Sequence, residues 1–218
     1  EYVLPRMGYM YGHFASPRER AELLEDGPAG LLVQKAKVFP ETPTLDSSIW
    51  LAIQEYYLSN APEALPQPEL PAIQLGLKHF EVVRPEFKLS PPSSTLARFV
   101  EGSLFIGDAL SKRLYQFNEQ LQLVNAANVR EGAVWLNDRP EELLVTVMGS
   151  FSPTDAPSGF LLELPKSPGR KPRVLIGNLQ RPVHTELGDL NGDGREDAVV
   201  CEFAKWTGSL SWWEKGVD

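Results

Sequence analysis

From residue 94 onward the chain offers no stretch that reads as a helix. It offers short apolar runs instead: "STLARFV", "SLFIGDA", "RLYQFNE", "AVWLN", "ELLVTVMG", "GFLLELP", "RVLIGN", "DAVVCEFA" and "GSLSWWEKG". Each is rich in Val, Leu, Phe or Trp and bounded by Gly, Asn, Asp or Pro, which favour turns. Alternate side chains of a strand face opposite ways, so such runs bury their apolar faces only by stacking as sheets. Residues 94–218 therefore predict a mainly β fold.

A loose repeat runs through this region. "SLFIG", "ELLVTV" and "DAVVCEF" are its strongest runs, and each precedes a polar loop and an amphipathic strand: "RLYQF", "GFLLEL" and "GSLSWWE". The spacings are about 40 and about 55 residues, in the range of four-stranded propeller blades. The segment 148–158, "MGSFSPTDAPS", reads as an inserted loop that lengthens the second interval. A closed ring needs at least ~4 blades, and residues 94–218 supply fewer. The expectation is a partial propeller whose open edge is covered by further blades or by a partner protein. The alternative is a small sandwich or barrel that closes on itself.

Residues 1–62 have a different grammar. In "SPRERAELLEDG", Ser16 is placed as N-cap, Pro17 as first helical residue and Glu19 as the capping-box partner, with Gly27 as stop. In "DSSIWLAIQEYYLSNAP", Asp46 can cap a second helix. Ile49, Trp50, Ile53, Tyr56 and Tyr57 recur at three- and four-residue steps as one apolar face, and Pro62 ends it. Residues 63–93 hold "PQPELP" and "RPEFKLSPPSS", too many prolines for long regular structure. They predict an extended linker packed through Leu65, Leu70 and Phe80.

Composition excludes several functions. The 218 residues are 23% charged with a net charge of −8, and no basic cluster marks a nucleic-acid surface. No apolar run approaches the ~18 residues of a membrane span. The lone Cys201 forms no internal disulfide, and its apolar surroundings predict a buried, inert thiol. An opening on Glu1 rather than Met reads as a trimmed start, with room upstream for a signal, an anchor or a further domain.

The motif with the most chemistry is "GDLNGDGREDAVV", 188–200. Calcium takes six to eight hard oxygen ligands, and alternate residues of a tight loop can point inward together. Asp189, Asn191 and Asp193 occupy positions 1, 3 and 5, Gly194 position 6, Arg195 position 7 through its carbonyl, and Asp197 position 9. An EF-hand needs Glu at position 12 and an exiting helix. Position 12 is Val200, inside a β-branched apolar run, so the loop leads into a strand. A metal-free Asx-rich turn is the alternative.

The frame D-x-N-x-D-G-x-x-D before an apolar strand resembles the calcium loops of FG-GAP/VCBS repeats, the blades of integrin-type β-propellers. The upstream "RPVHTEL" fits the strand that precedes such a loop. The likeness is strong over about 35 residues, and the two earlier repeats match by rhythm alone. It implies calcium held by Asp189, Asn191, Asp193, Arg195 and Asp197, in a structural role.

At the other end, "YVLPRMGYMYG" and "IQEYYLSNAPEALP" resemble the later helices of the cytochrome-c-like domains that precede some bacterial FG-GAP propellers. That family carries a C-x-x-C-H haem motif upstream, absent from this chain. The resemblance implies haem c only with residues upstream of Glu1, and Met7 or Met10 as its axial ligand; "LPRMG" places Met7 in a tight turn. The plain alternative for both methionines is core filler.

No nucleophile elbow, zinc-protease signature, P-loop or dinucleotide glycine pattern is present. Trp206, Trp212 and Trp213 suit packing between blades and a partner interface, with sugar stacking as the alternative. The expected function is non-enzymatic: a calcium-stabilised binding or scaffold subunit, periplasmic or at the cell surface. The alternatives are electron transfer with the propeller as docking platform, and a carbohydrate-binding or lyase propeller. The last predicts a cleft lined by acids and aromatics.

Overall fold

The computed structural model describes residues 3–64, 67–69, 71–72, 76 and 79–216. They form two compact units, residues 1–23 with 37–84, and residues 24–36 with 85–218. The described residues form four short helices and eleven strands in three antiparallel sheets.

In the first unit, α1 is Val3–Met10, α2 is Pro17–Glu22 and α4 is Ser47–Asn60. Ser16 caps α2 by accepting from the Glu19 N–H at 3.2 Å. Glu19 reaches back to the Ala15 N–H at 2.6 Å, one residue beyond the usual capping-box donor. Asp46 caps α4 by accepting from the Ser48 N–H at 2.8 Å. Ala61, restricted by Pro62, turns extended and ends α4.

Three expectations are corrected here. Gly27 does not stop α2, which ends at Glu22; at φ +70° it precedes a further helix, α3 (Pro28–Lys35). The apolar face of α4 is not buried as a whole: Trp50 is, but Ile49, Tyr56 and Tyr57 are half or more exposed. Met7 lies within α1 and half-buried, because the Leu-Pro pair starts a helix rather than a tight turn.

In the second unit each sheet is a meander. β1 (Ser94–Val100), β2 (Ser103–Asp108), β3 (Arg113–Phe117) and β4 (Leu123–Asn128) form the first, in that order. β5 (Ala133–Asp138), β6 (Glu142–Val147), β7 (Gly159–Pro165) and β8 (Arg173–Leu179) form the second. β9 (Pro182–Gly188), β10 (Asp197–Glu202) and β11 (Ser209–Trp213) form the third. The three strongest apolar runs are β2, β6 and β10, and the amphipathic strands that follow them are β3, β7 and β11. β1 packs beside β5, and β5 beside β9, so the first strands of successive sheets are neighbours.

The main core lies between the first two sheets. Leu96, Phe105 and Leu114 meet Ala133, Leu136, Leu143, Val145, Val147, Phe160 and Leu162. Leu136, Val145 and Val147 are wholly buried, and each such side chain contributes roughly 1.5–3 kcal/mol. Between the second and third sheets the buried hydroxyls of Thr146 and Thr185 share a hydrogen bond of 2.8 Å.

β4 was not expected. "LVNAAN" alternates weakly, and its side chains are mostly exposed, so it carries little apolar signal. In the linker, Leu65 and Leu70 lie outside the described residues, and Phe80 is 77% exposed rather than packed. Phe87 does the packing, 4.9 Å from the Tyr115 ring and 5.8 Å from Phe117. Cys201 is half-buried rather than buried.

Candidate metal centre

The acidic motif occupies the hairpin between β9 and β10. Asp197 opens β10 with its Cα paired to that of Gly188, which brings the loop's first and last acidic residues to one hairpin mouth. Gly192 and Gly194 have φ of +79° and +80°, a left-handed backbone that a Cβ penalises by roughly 1–2 kcal/mol. The glycines make the tight turn possible.

Inside it, the carboxylates accept from the loop's own amides. Asp189 Oδ1 takes the Gly192 N–H at 2.7 Å and the Asp193 N–H at 3.1 Å, and its Oδ2 the Gly194 N–H at 2.8 Å. Asn191 donates to Asp193 at 3.1 Å and to Glu214 at 2.8 Å. The Arg195 guanidinium donates to Asp193 Oδ2 at 2.5 Å and to the Lys215 carbonyl at 3.0 Å.

Asp197 alone of the set is buried. Its oxygens accept from the Lys215 N–H at 3.0 Å and the Leu190 N–H at 3.2 Å. The Lys215 amide, with that of Leu190, outweighs desolvation and holds its carboxyl below the usual carboxylate range.

The donor set is that of a hard cation: three carboxylates, one amide oxygen and a backbone carbonyl. Asp189, Asn191 and Asp193 are exposed, and a carboxylate oxygen that takes one N–H keeps a second lone pair. The residues therefore fit calcium by chemistry. Among the described residues, no three His, Cys, Asp or Glu side chains gather closely enough to hold a metal. The conformation seen is an Asx-rich turn.

Met7 and Met10 sit on α1, Met7 half-buried and Met10 49% exposed at its end. A cavity of about 280 Å³ in the same unit is lined by Leu4, Gly8, Tyr9, His13 and Trp50 among others, and by neither methionine. His13 stacks on Trp50 with ring centroids 5.6 Å apart.

Sequence reasoning missed a polar clamp built around the inserted loop. Asp155, buried, accepts at Oδ1 from the amides of Lys205, Trp206 and Thr207 and from the Thr207 hydroxyl, at 2.8–3.3 Å. Arg181, also buried, donates to the carbonyls of Ser150, Phe151 and Ala204 at 3.2, 3.4 and 2.8 Å. The two tie loop 148–158 to the β10–β11 connection. A lone Asp among Ser, Thr and Pro gives no sequence signal for this, since its donors lie about 50 residues away.

A cleft of about 440 Å³ separates the second and third sheets. Leu144, Leu161 and Leu187 line it, with Glu142, Glu196, Glu214 and Trp213. Glu196 is ion-paired with Arg139.

No protein-family model matches the chain, and no curated protein is significantly similar to it.

Proposed function

We propose that the chain is a non-enzymatic binding or scaffold protein built on a calcium-stabilised sector of an FG-GAP-type β-propeller, working outside the cytoplasm. One observation carries this reading. Three successive meanders lie with their first strands side by side, and the hairpin that opens the third holds the D-x-N-x-D-G-x-x-D loop. In a propeller, successive sheets of up to four strands pack around a central channel, each with its own inner strand. Calcium would be held by Asp189, Asn191, Asp193, Asp197 and the Arg195 carbonyl. It would neutralise the acidic loop and fix the entry of β10.

The outward face of the third sheet supports a protein partner on the open edge. Val199, Cys201, Leu210 and Trp212 share one side of paired strands, and Leu210 and Trp212 are 71% and 55% exposed. Exposed apolar patches of this kind mark interaction surfaces. Calorimetric titration with calcium tests the metal assignment. Saturable binding is expected for the wild type, with a drop of tenfold or more for Asp189→Asn; equal binding by both contradicts it.

A second reading, carbohydrate binding, draws on the cleft between the second and third sheets, where Trp213 offers a stacking ring beside several carboxylates. It predicts that neutral oligosaccharides quench tryptophan fluorescence and that Trp213→Ala abolishes the effect. Quenching unchanged by that substitution removes the reading. In the electron-transfer reading, the helical unit carries a haem attached through residues outside this chain.

A further inference from the structure

The two crossovers between sheets are built alike in backbone and in their arginine. Arg181 lies between β8 and β9, and Arg130 between β4 and β5. Both have left-handed backbone, φ +50° and +62°, a conformation uncommon for long side chains. Both guanidinium groups lie over a phenylalanine, Arg181 at 6.0 Å from Phe203 and Arg130 at 5.4 Å from Phe160.

Their surroundings then diverge. Arg181 is buried, and its donors are taken by the carbonyl oxygens of loop 148–158 and Ala204. At the first crossover the β2–β3 turn, between Asp108 and Arg113, is short, and Arg130 is exposed. The Arg130 guanidinium makes no hydrogen bond or ion pair among the described residues. It lines a pocket of about 390 Å³ with Lys112, Asn128, Glu131, Gly149 and Ser158. Lys112 is also left-handed, at φ +59°, and its carbonyl accepts from the Val129 N–H at 3.1 Å, which joins the two turns. Lys112 pairs with Glu131 at 2.7 Å, and Arg130 is the second cation that lines the pocket.

We propose that this pocket binds a small oxyanion, a phosphate or a carboxylate, whose oxygens take at Arg130 the place that loop carbonyls take at Arg181. A planar guanidinium presents donors in a fork that matches either group. The Phe160 ring, 5.4 Å from the guanidinium, favours a cation at that position. Asn128 and Ser158 bring further polar side chains to the pocket.

The test is amide-resolved NMR titration with inorganic phosphate and, separately, with succinate, at ionic strength matched by sodium chloride. Saturable shifts are expected at Lys112, Asn128, Arg130 and Ser158. Arg130→Gln should weaken binding at least tenfold, and Lys171→Gln, at an exposed site outside the pocket, should leave it unchanged. The stronger of the two titrants identifies the oxyanion class. Shifts that merely follow ionic strength, or that map away from the pocket, overturn the proposal. If Arg130→Gln does not fold, the wild-type shift map decides alone.

Discussion

Asp155 shows how far one side chain can act. Its carboxylate replaces four separate partners for the 205–207 segment. Removing it leaves part-buried amides without their partner, against roughly 1–3 kcal/mol for a fully buried group. Asp155→Ala should lower the urea midpoint by that order, with amide exchange accelerated first at Trp206 and Thr207. Unchanged exchange there would show that the clamp does not hold the segment. Little of this was legible in the sequence, because Asp155 and its donors come together only after the sheets have formed. By contrast Asp46 and Ser16 were legible as caps, since a cap and its amide are two or three residues apart.

Strands with strong apolar runs were legible, and strands without them were not. β2, β6 and β10 carry buried residues in their interior and stood out at once. β4 is an outer strand with mostly exposed side chains, so it is held by hydrogen bonds to β3 rather than by an apolar pattern. The apolar spacing of α4 misled for the opposite reason: it promised a buried face, yet only Trp50 is buried. Hairpin ends add pH dependence. Burial pushes Asp108 at the end of β2 upward, but the Ser111 amide and hydroxyl and the Ser93 amide outweigh it. The carboxyl is held below the usual range, as is that of Asp197. A carboxylate with a lowered folded value stabilises the fold above the unfolded value of about 3.9, and the gain is lost as pH falls through the folded value. Urea midpoints should therefore hold from pH 7 to 5 and drop below about pH 4. Asp108→Asn should lower the midpoint at pH 7 and flatten the drop; a variant as steep as wild type would assign the acid loss elsewhere.

At the scale of the molecule, the order of the sheets follows from the chain itself. Each meander joins strands that are neighbours in sequence, and each crossover sets the next first strand beside the preceding one. The arrangement leaves one face of the third sheet apolar and exposed, which fits a body that works against a partner. Within it, the loop 189–197 is where we propose that a cation binds. In its present conformation the loop spends its carboxylates on its own amides, and a cation would add the neutralising charge that Arg195 supplies only in part. A ligand that binds only the folded state must raise its stability. Differential scanning calorimetry in excess chelator and then in millimolar calcium, with magnesium as control, measures this directly. A melting temperature several degrees higher in calcium, and no such rise for Asp189→Asn, is the predicted result. Identical melting of the wild type in chelator and calcium would contradict a calcium-stabilised propeller.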